Sequence, residues 1–165
     1  MAQCREAAAH EDGCRHTQCR DNQRNYQAQL DKVAHYLGMK VIRIMPKEDF
    51  CADVSAMASA VNDNTILLAG SAPQFSQGVI DPIQELGRLA ESHDLWLHVD
   101  GCKGGIMAPF VRKLGYSVPD YDFRVPGVSS ISADLHKYGF SPKGVSVILY
   151  RDVDLQKYQE FCLGG

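Results

Sequence analysis

The chain has 165 residues, 45% of them hydrophobic and 22% charged, with a formal net charge of −3. That composition suits one soluble domain with enough apolar material for a core; the charge argues against general affinity for nucleic acid or an anionic membrane, and no apolar run reaches the about 20 residues of a membrane helix. Residues 1–20 lack the apolar stretch of a signal peptide, and six cysteines, at 4, 14, 19, 51, 102 and 162, are too sparse for a disulfide framework, which favours a reducing, intracellular compartment.

Residues 1–25 predict an irregular N-terminal segment, polar and nearly devoid of large aliphatic side chains. Cys14 and Cys19, with His10 and His16 nearby, have the chemistry of zinc ligands. Their spacing is loose, however, and no second Cys/His pair follows at finger-like distance; a frayed chain end is the plainer reading. From Tyr26 onward the pattern becomes regular. Tyr26, Leu30, Val33, Ala34 and Leu37 fall on one face of a helix, with Gly38 as its C-terminal cap. Val41, Ile42, Ile44 and Met45 form a strand candidate bounded by Pro46. Asp53 is placed to cap a second helix carrying Val54, Met57, Ala58 and Val61. Residues 65–69 read as a strand buried on both faces, followed by a loop over 70–78. Asp81 and Pro82 predict an N-cap and a first-turn proline for a third helix, whose face is Ile83, Leu86, Leu89 and Ala90. A strand over 95–99 ends at Asp100, and a glycine-rich turn over 101–105 leads to a short helix over 107–114. Two more strands are predicted at 128–133 and 145–149. The peptide between them, 134–144, is too long and polar for a tight hairpin turn. A final helical stretch covers 154–161, and no internal repeat is visible.

This alternation predicts an α/β fold, a mainly parallel sheet covered by helices on both faces. Ligands of such sheets bind beyond the carboxyl ends of the strands, where two polar features fall: Asp100, and residues 132–137. A lone buried carboxylate costs several kcal/mol unless it is paired. Asp100 therefore either meets a cationic partner or caps the turn that begins at Gly101. A free lysine has a pKa near ~10.4 and is a poor nucleophile at neutral pH. Desolvation or a nearby cation would let Lys137 attack a carbonyl as a Schiff-base amine, with His136 adding polarity or holding a phosphate. The alternative for Lys137 is a solvated loop lysine. Spacing alone leaves both pairs of readings open.

Longer stretches carry a family resemblance. They are residues 97–105 (Leu-His-Val-Asp-Gly-Cys-Lys-Gly-Gly), 123–139 (Phe-Arg-Val-Pro-Gly-Val-Ser-Ser-Ile-Ser-Ala-Asp-Leu-His-Lys-Tyr-Gly) and 141–150 (Ser-Pro-Lys-Gly-Val-Ser-Val-Ile-Leu-Tyr). With 72–82 and 31–40, these resemble pyridoxal-phosphate enzymes of the aspartate aminotransferase fold (fold type I). Within the group II decarboxylase superfamily they look most like the sphingosine phosphate lyase family, over roughly 28–165. The resemblance implies a partial cofactor-binding large domain over 26–165 and pyridoxal 5'-phosphate as cofactor. It casts Lys137 as the Schiff-base lysine and proton carrier, and Asp100 as the partner of the pyridine nitrogen, the contact that keeps such a ring an electron sink. His136 would lie near the cofactor phosphate, Ser132 would also bind the cofactor, and Ser71, Ala72 and Gln74 would approach it from the loop after strand 65–69. The implied reaction is cleavage of a long-chain base phosphate to a fatty aldehyde and phosphoethanolamine, with an amino-acid decarboxylase as the neighbouring alternative.

The chain also departs from the family. Gln27 stands where a histidine stacks on the cofactor ring. Gly101 replaces the usual alanine, which predicts a looser backbone beside Asp100. The upstream phosphate cup and the C-terminal small domain are not in these residues, so a truncated, non-catalytic remnant is a second class of reading. The resemblance further implies a homodimer. It places full-length eukaryotic members on the cytosolic face of the endoplasmic reticulum membrane, whereas these residues, with no transmembrane segment, predict a soluble chain.

Overall fold

The computed structural model describes residues 15–20 and 28–159. His10 and Cys14 of the zinc reading, Tyr26 of the first helical face and Gln27 lie outside them. Among the described residues, no group of three or more His, Cys, Asp and Glu side chains is placed to hold a metal ion, and no helix is long and apolar enough to cross a membrane.

Six strands form one sheet: β1 (Arg15–Arg20), β2 (Met39–Ile44), β3 (Thr65–Ser71), β4 (Trp96–Asp100), β5 (Val128–Ala133) and β6 (Val147–Tyr150). Their order is β2-β1-β3-β4-β5-β6. Every neighbouring pair is parallel except the last, in which β6 runs antiparallel to β5. Where the sequence predicts irregular chain, Arg15–Arg20 forms a strand inside the sheet, bonded to β2 on one side and β3 on the other. Its residues, Arg-His-Thr-Gln-Cys-Arg, show no apolar alternation. The strand is specified by the two ladders that satisfy its main-chain groups, which composition does not reveal.

The helices are α1 (Ala28–Tyr36), α2 (Val54–Ala60), α3 (Ile83–His93), α4 (Ala108–Lys113), α5 (Leu135–Tyr138) and α6 (Val153–Gln156). Gly38, after α1, takes φ +62, the left-handed conformation of a C-terminal cap. Asp53 caps α2 as predicted, accepting the Ala56 N–H at 3.0 Å. In α3, Ile83, Leu86 and Ala90 are buried and pack on β3 and β4. They join Met57, Leu68, Leu97, Val99, Val128 and Ile131 in one core. Burial of each large aliphatic side chain in it contributes about 1.5–3 kcal/mol.

Asp81 departs from its predicted role. The N-cap of α3 is Pro82, without a side-chain cap. Asp81, only 1% exposed, instead accepts the Ala52 N–H on Oδ1 at 2.9 Å and the Ser71 N–H on Oδ2 at 2.8 Å. A carboxylate this deep needs donors of its own, and the segments before α2 and at the end of β3 supply them. The 134–144 segment contains α5, as its length and polarity require. The last helix is shorter than the predicted 154–161: α6 starts after Asp152, which accepts the Leu155 N–H at 2.9 Å, and the region beyond 159 lies outside the described residues.

Candidate functional site

Three parallel strands end side by side. Their register sets Ser71 of β3 beside Asp100 of β4, and Asp100 beside Ser132 of β5. The β4–β5 ladder shifts by one residue between Leu97, which faces Val128, and His98, which faces Ser130. Buried Ser130 pins this shift: its hydroxyl oxygen lies 2.8 Å from both Trp96 Nε1, which donates to it, and His98 Nδ1. Burial pushes the His98 pKa below its ordinary value despite the opposing pull of Asp100, so the ring is neutral at physiological pH.

Asp100 is tied on both sides. Its Oδ1 accepts the Cys102 N–H at 2.9 Å and the Ser132 hydroxyl at 3.2 Å. The Asp100 carbonyl accepts the Ala72 N–H, and the Gly101 N–H donates to the Ser132 carbonyl, both at 2.9 Å. The turn-capping role open to this residue is therefore realised, and the same contacts aim the carboxylate at the mouth formed by β4 and β5. Gly101 does not loosen that backbone as predicted. A Cβ there would sit 2.9 Å from the Ser132 carbonyl oxygen and 3.2 Å from the Gly105 Cα, so glycine permits a close approach of two main chains.

Lys137 enters the same mouth from α5. Its Nζ lies 2.8 Å from Asp134 Oδ2 and donates to Cys102 Sγ at 3.0 Å. Cys102 thus bridges the two expected site residues, its N–H on Asp100 and its sulfur on Lys137. Burial and the charge of Asp100 push the Cys102 thiol up to about 11, so the sulfur is a neutral acceptor at pH 7. The electrostatics of Lys137 run opposite to the sequence expectation. Partial burial works against its charge, but the hydrogen bonds to Asp134 and Cys102 outweigh it and hold the ammonium above the ordinary lysine value. The charged neighbour is an anion, where a more nucleophilic amine calls for desolvation or a cation.

The remaining predicted residues are placed less directly. Ala72 is fully buried and meets the site through its main chain. Gln74 is buried too, but its Nε2 donates to Gln77 Oε1 at 2.7 Å. His136 Nδ1 lies 2.8 Å from the Val145 carbonyl oxygen, which anchors the ring toward the start of β6; its Nε2 is 3.8 Å from Asp134 Oδ2. Sequence reasoning missed Cys102, Asp134 and Ser146, whose hydroxyl donates to Asp134 Oδ1 at 2.6 Å. The signal for Asp134 was its position three residues before Lys137 on a helix start, where side chains share a face. A separate cavity of about 360 Å³, lined by Lys47, Cys51, Asp81, Arg88 and Asp120 among others, contains none of the predicted site residues.

Comparison with known proteins identifies the family. The chain is 52% identical over 129 residues to a sphingosine-1-phosphate lyase of Oryza sativa subsp. japonica, a match covering 78% of the chain and 24% of that protein. It is 50% identical over 135 residues to sphingosine-1-phosphate lyase 1 of Rattus norvegicus, covering 81% and 24%. The chain therefore spans about a quarter of the length of the curated relatives it matches. Among solved structures, a sphingosine-1-phosphate lyase of Burkholderia pseudomallei superposes with a TM-score of 0.84 at 40% identity, over 88% of this chain and 33% of that one. A glutamate decarboxylase of Lactobacillus brevis shares the fold, with a TM-score of 0.76 at 24% identity, over 88% and 33%. The pyridoxal-dependent decarboxylase conserved domain matches residues 19–163, and by that match the chain belongs to the pyridoxal-dependent decarboxylase family.

Proposed function

We propose that these residues form part of the catalytic centre of a pyridoxal-phosphate-dependent carbon–carbon lyase that cleaves long-chain base phosphates to a fatty aldehyde and phosphoethanolamine. The observation that carries the reading is the joining of Asp100 and Lys137 through Cys102 at the ends of adjacent strands. The donor set fits the cofactor: a carboxylate for a ring nitrogen, and a primary amine for an aldehyde, on one mouth. When bound, pyridoxal phosphate supplies an electron sink for breaking a bond next to the substrate's amine-bearing carbon. Lys137 Nζ is the amine that would hold the cofactor's aldehyde and hold or move a proton. Asp100, oriented by the Cys102 N–H and the Ser132 hydroxyl, stabilises positive charge on the ring nitrogen. Ala72 brings the loop after β3 against Asp100; Gln74 and His136 are proposed to turn toward the cofactor from that loop and from α5. High identity to proteins named as sphingosine-1-phosphate lyases supports the substrate class.

In this reading a second copy of the chain completes the site, and full-length relatives work at the cytosolic face of the endoplasmic reticulum membrane; both rest on the family resemblance. The family's name and the shared fold with a glutamate decarboxylase favour amino-acid decarboxylation as the second reading. Borohydride reduction in the presence of pyridoxal phosphate, followed by peptide mapping, tests the site. An adduct at Lys137 that vanishes in Lys137→Ala is expected, and no adduct at Lys137 overturns the assignment. A substrate panel separates the two reactions: carbon dioxide from an amino acid, with no aldehyde from a long-chain base phosphate, sinks the lyase reading.

A further inference from the structure

We propose that Asp134 is a positioning residue that holds the Lys137 amine in place and restrains its reactivity toward aldehydes. The inference rests on the reading of Lys137 as the Schiff-base lysine and adds a residue to it.

The first argument is what Asp134 does not do. It occupies the N-cap position of α5, where a short acidic side chain ordinarily accepts a main-chain N–H, yet it makes no side-chain cap bond. Instead its carboxylate spans two elements. Oδ2 takes Lys137 Nζ at 2.8 Å, and Oδ1 takes the Ser146 hydroxyl at 2.6 Å, from the turn that leads into β6. The side chain is 15% exposed, so the pair is only partly screened by water. Giving up the local cap in favour of the lysine is hard to explain as a helix-stabilising choice in a helix of four residues.

The second argument is the surroundings. From the β4 side, Lys137 faces Cys102 and, behind it, Asp100. On the same helix, His136 brings its Nε2 to 3.8 Å from the same Asp134 oxygen. Lys103, the nearby cation of the glycine-rich turn, lies over the Tyr138 ring, 5.7 Å from its centroid. The Lys137 ammonium is thus paired with one carboxylate, with a neutral thiol as its other hydrogen-bond partner. Attack on an aldehyde requires the amine to lose a proton, and an ion pair at this distance opposes that loss. Burial opposes the Asp134 charge, but the bonds from Lys137 and Ser146 overcome it and hold its pKa below the ordinary value, so it stays an anion through the neutral range. Asp134 therefore sets both where Nζ points and the pH at which it becomes a nucleophile.

The test is independent of the cofactor. The 165-residue chain is labelled with formaldehyde and cyanoborohydride over a series of pH values, and methylation of Lys137 is followed by peptide mapping, with Lys103 as internal reference. In Asp134→Asn, labelling of Lys137 near pH 8 is expected to rise roughly three- to tenfold relative to Lys103, the effect of losing a close, partly screened opposite charge. Asp134→Glu is expected to restore most of the parent profile. Should Asp134→Asn fail to fold, Ser146→Ala, which leaves both charges in place but frees the carboxylate, is expected to move labelling in the same direction by a smaller factor. An unchanged Lys137 profile in the folded variants overturns the proposal, as does a Glu variant that behaves like Asn. Borohydride trapping of pyridoxal phosphate reports separately on the Schiff-base reading: trapping without the labelling shift removes Asp134 from the mechanism and leaves Lys137 in it.

Discussion

Two carboxylates of this molecule, Asp81 before α3 and Asp134 before α5, behave in opposite ways. Asp81 is sealed in the interior, its two oxygens committed to main-chain N–H groups of Ala52 and Ser71. Asp134 is partly open, and its partners are side chains, Lys137 and Ser146. The first arrangement is a brace: main-chain donors are fixed by the fold, so the carboxylate has one geometry and nothing to gain from releasing it. The second is exchangeable, because a side-chain ammonium can leave for another partner without unfolding anything. Asp100 combines the two, with one main-chain donor and one hydroxyl on the same oxygen. Depth alone does not separate these carboxylates; the kind of donor that each one holds does.

The comparison can be broken from either side. Asp81→Ala strands two buried N–H groups that now bond a charged acceptor, and the expected loss is about 3 kcal/mol, read as a fall in the urea midpoint with an unchanged slope; a loss under about 1 kcal/mol would mean that the brace is dispensable. Asp100→Asn keeps the side-chain shape but removes the charge, so folding is expected to survive while pyridoxal phosphate affinity, measured by absorbance titration, falls roughly tenfold or more, the scale of one charge-assisted hydrogen bond. Unaltered affinity would reduce Asp100 to a turn cap. Gly101→Ala places a methyl group 2.9 Å from the Ser132 carbonyl and is expected to cost about 1–2 kcal/mol, visible as a lower Tm; a neutral result would show that the β4 and β5 ends separate easily.

The smallest effect is a pH dependence. His98 is neutral in the fold, with its pKa pushed below the ordinary 6.5 by burial. Above 6.5 it is neutral in folded and unfolded chains alike. As pH falls below 6.5 the unfolded chain takes up a proton that the fold refuses, so stability drops until the folded value is reached. The expected loss is up to about 1 kcal/mol between pH 6.5 and 5.5, and it should disappear in His98→Asn. Asp134 acts in the same direction at lower pH, its contribution present above the ordinary carboxylate value of 3.8 and lost as pH falls through its lower folded value.

Much of this was legible in the chain. The periodicities around Met57, Ile83 and Leu86 located the helices, and the apolar runs ending near Ser71, Asp100 and Ala133 located the strands whose tips make the mouth. Asp100 stood out because a lone acid at the end of a buried strand needs a partner; for Lys137 spacing left a solvated loop lysine open, and its role came from the family resemblance. What was hidden depends on through-space neighbours. The polar β1 is a strand only because β2 and β3 flank it. Asp81 reads as a helix cap from its local sequence, whereas distant donors draw it inside. The contacts of Lys137 with Cys102, 35 positions away, exist only after β4 and β5 pair.

That pairing has a genetic consequence. The one-residue shift at Leu97 and His98 places Ser129 between the partners of these two residues. Loss of the single codon for Ser129 would let the ladder run on without the shift. His98 would still face Ser130 and Asp100 would still face Ser132, because Ser129 is the residue the ladder leaves over. A residue lost or gained after Ser130 has no such slack: it changes the spacing between Ser132, which bonds Asp100, and Lys137, which bonds Cys102. In-frame length changes between Ser130 and Lys137 should therefore be far less tolerated than loss of Ser129, because the mouth is built by counting as much as by chemistry.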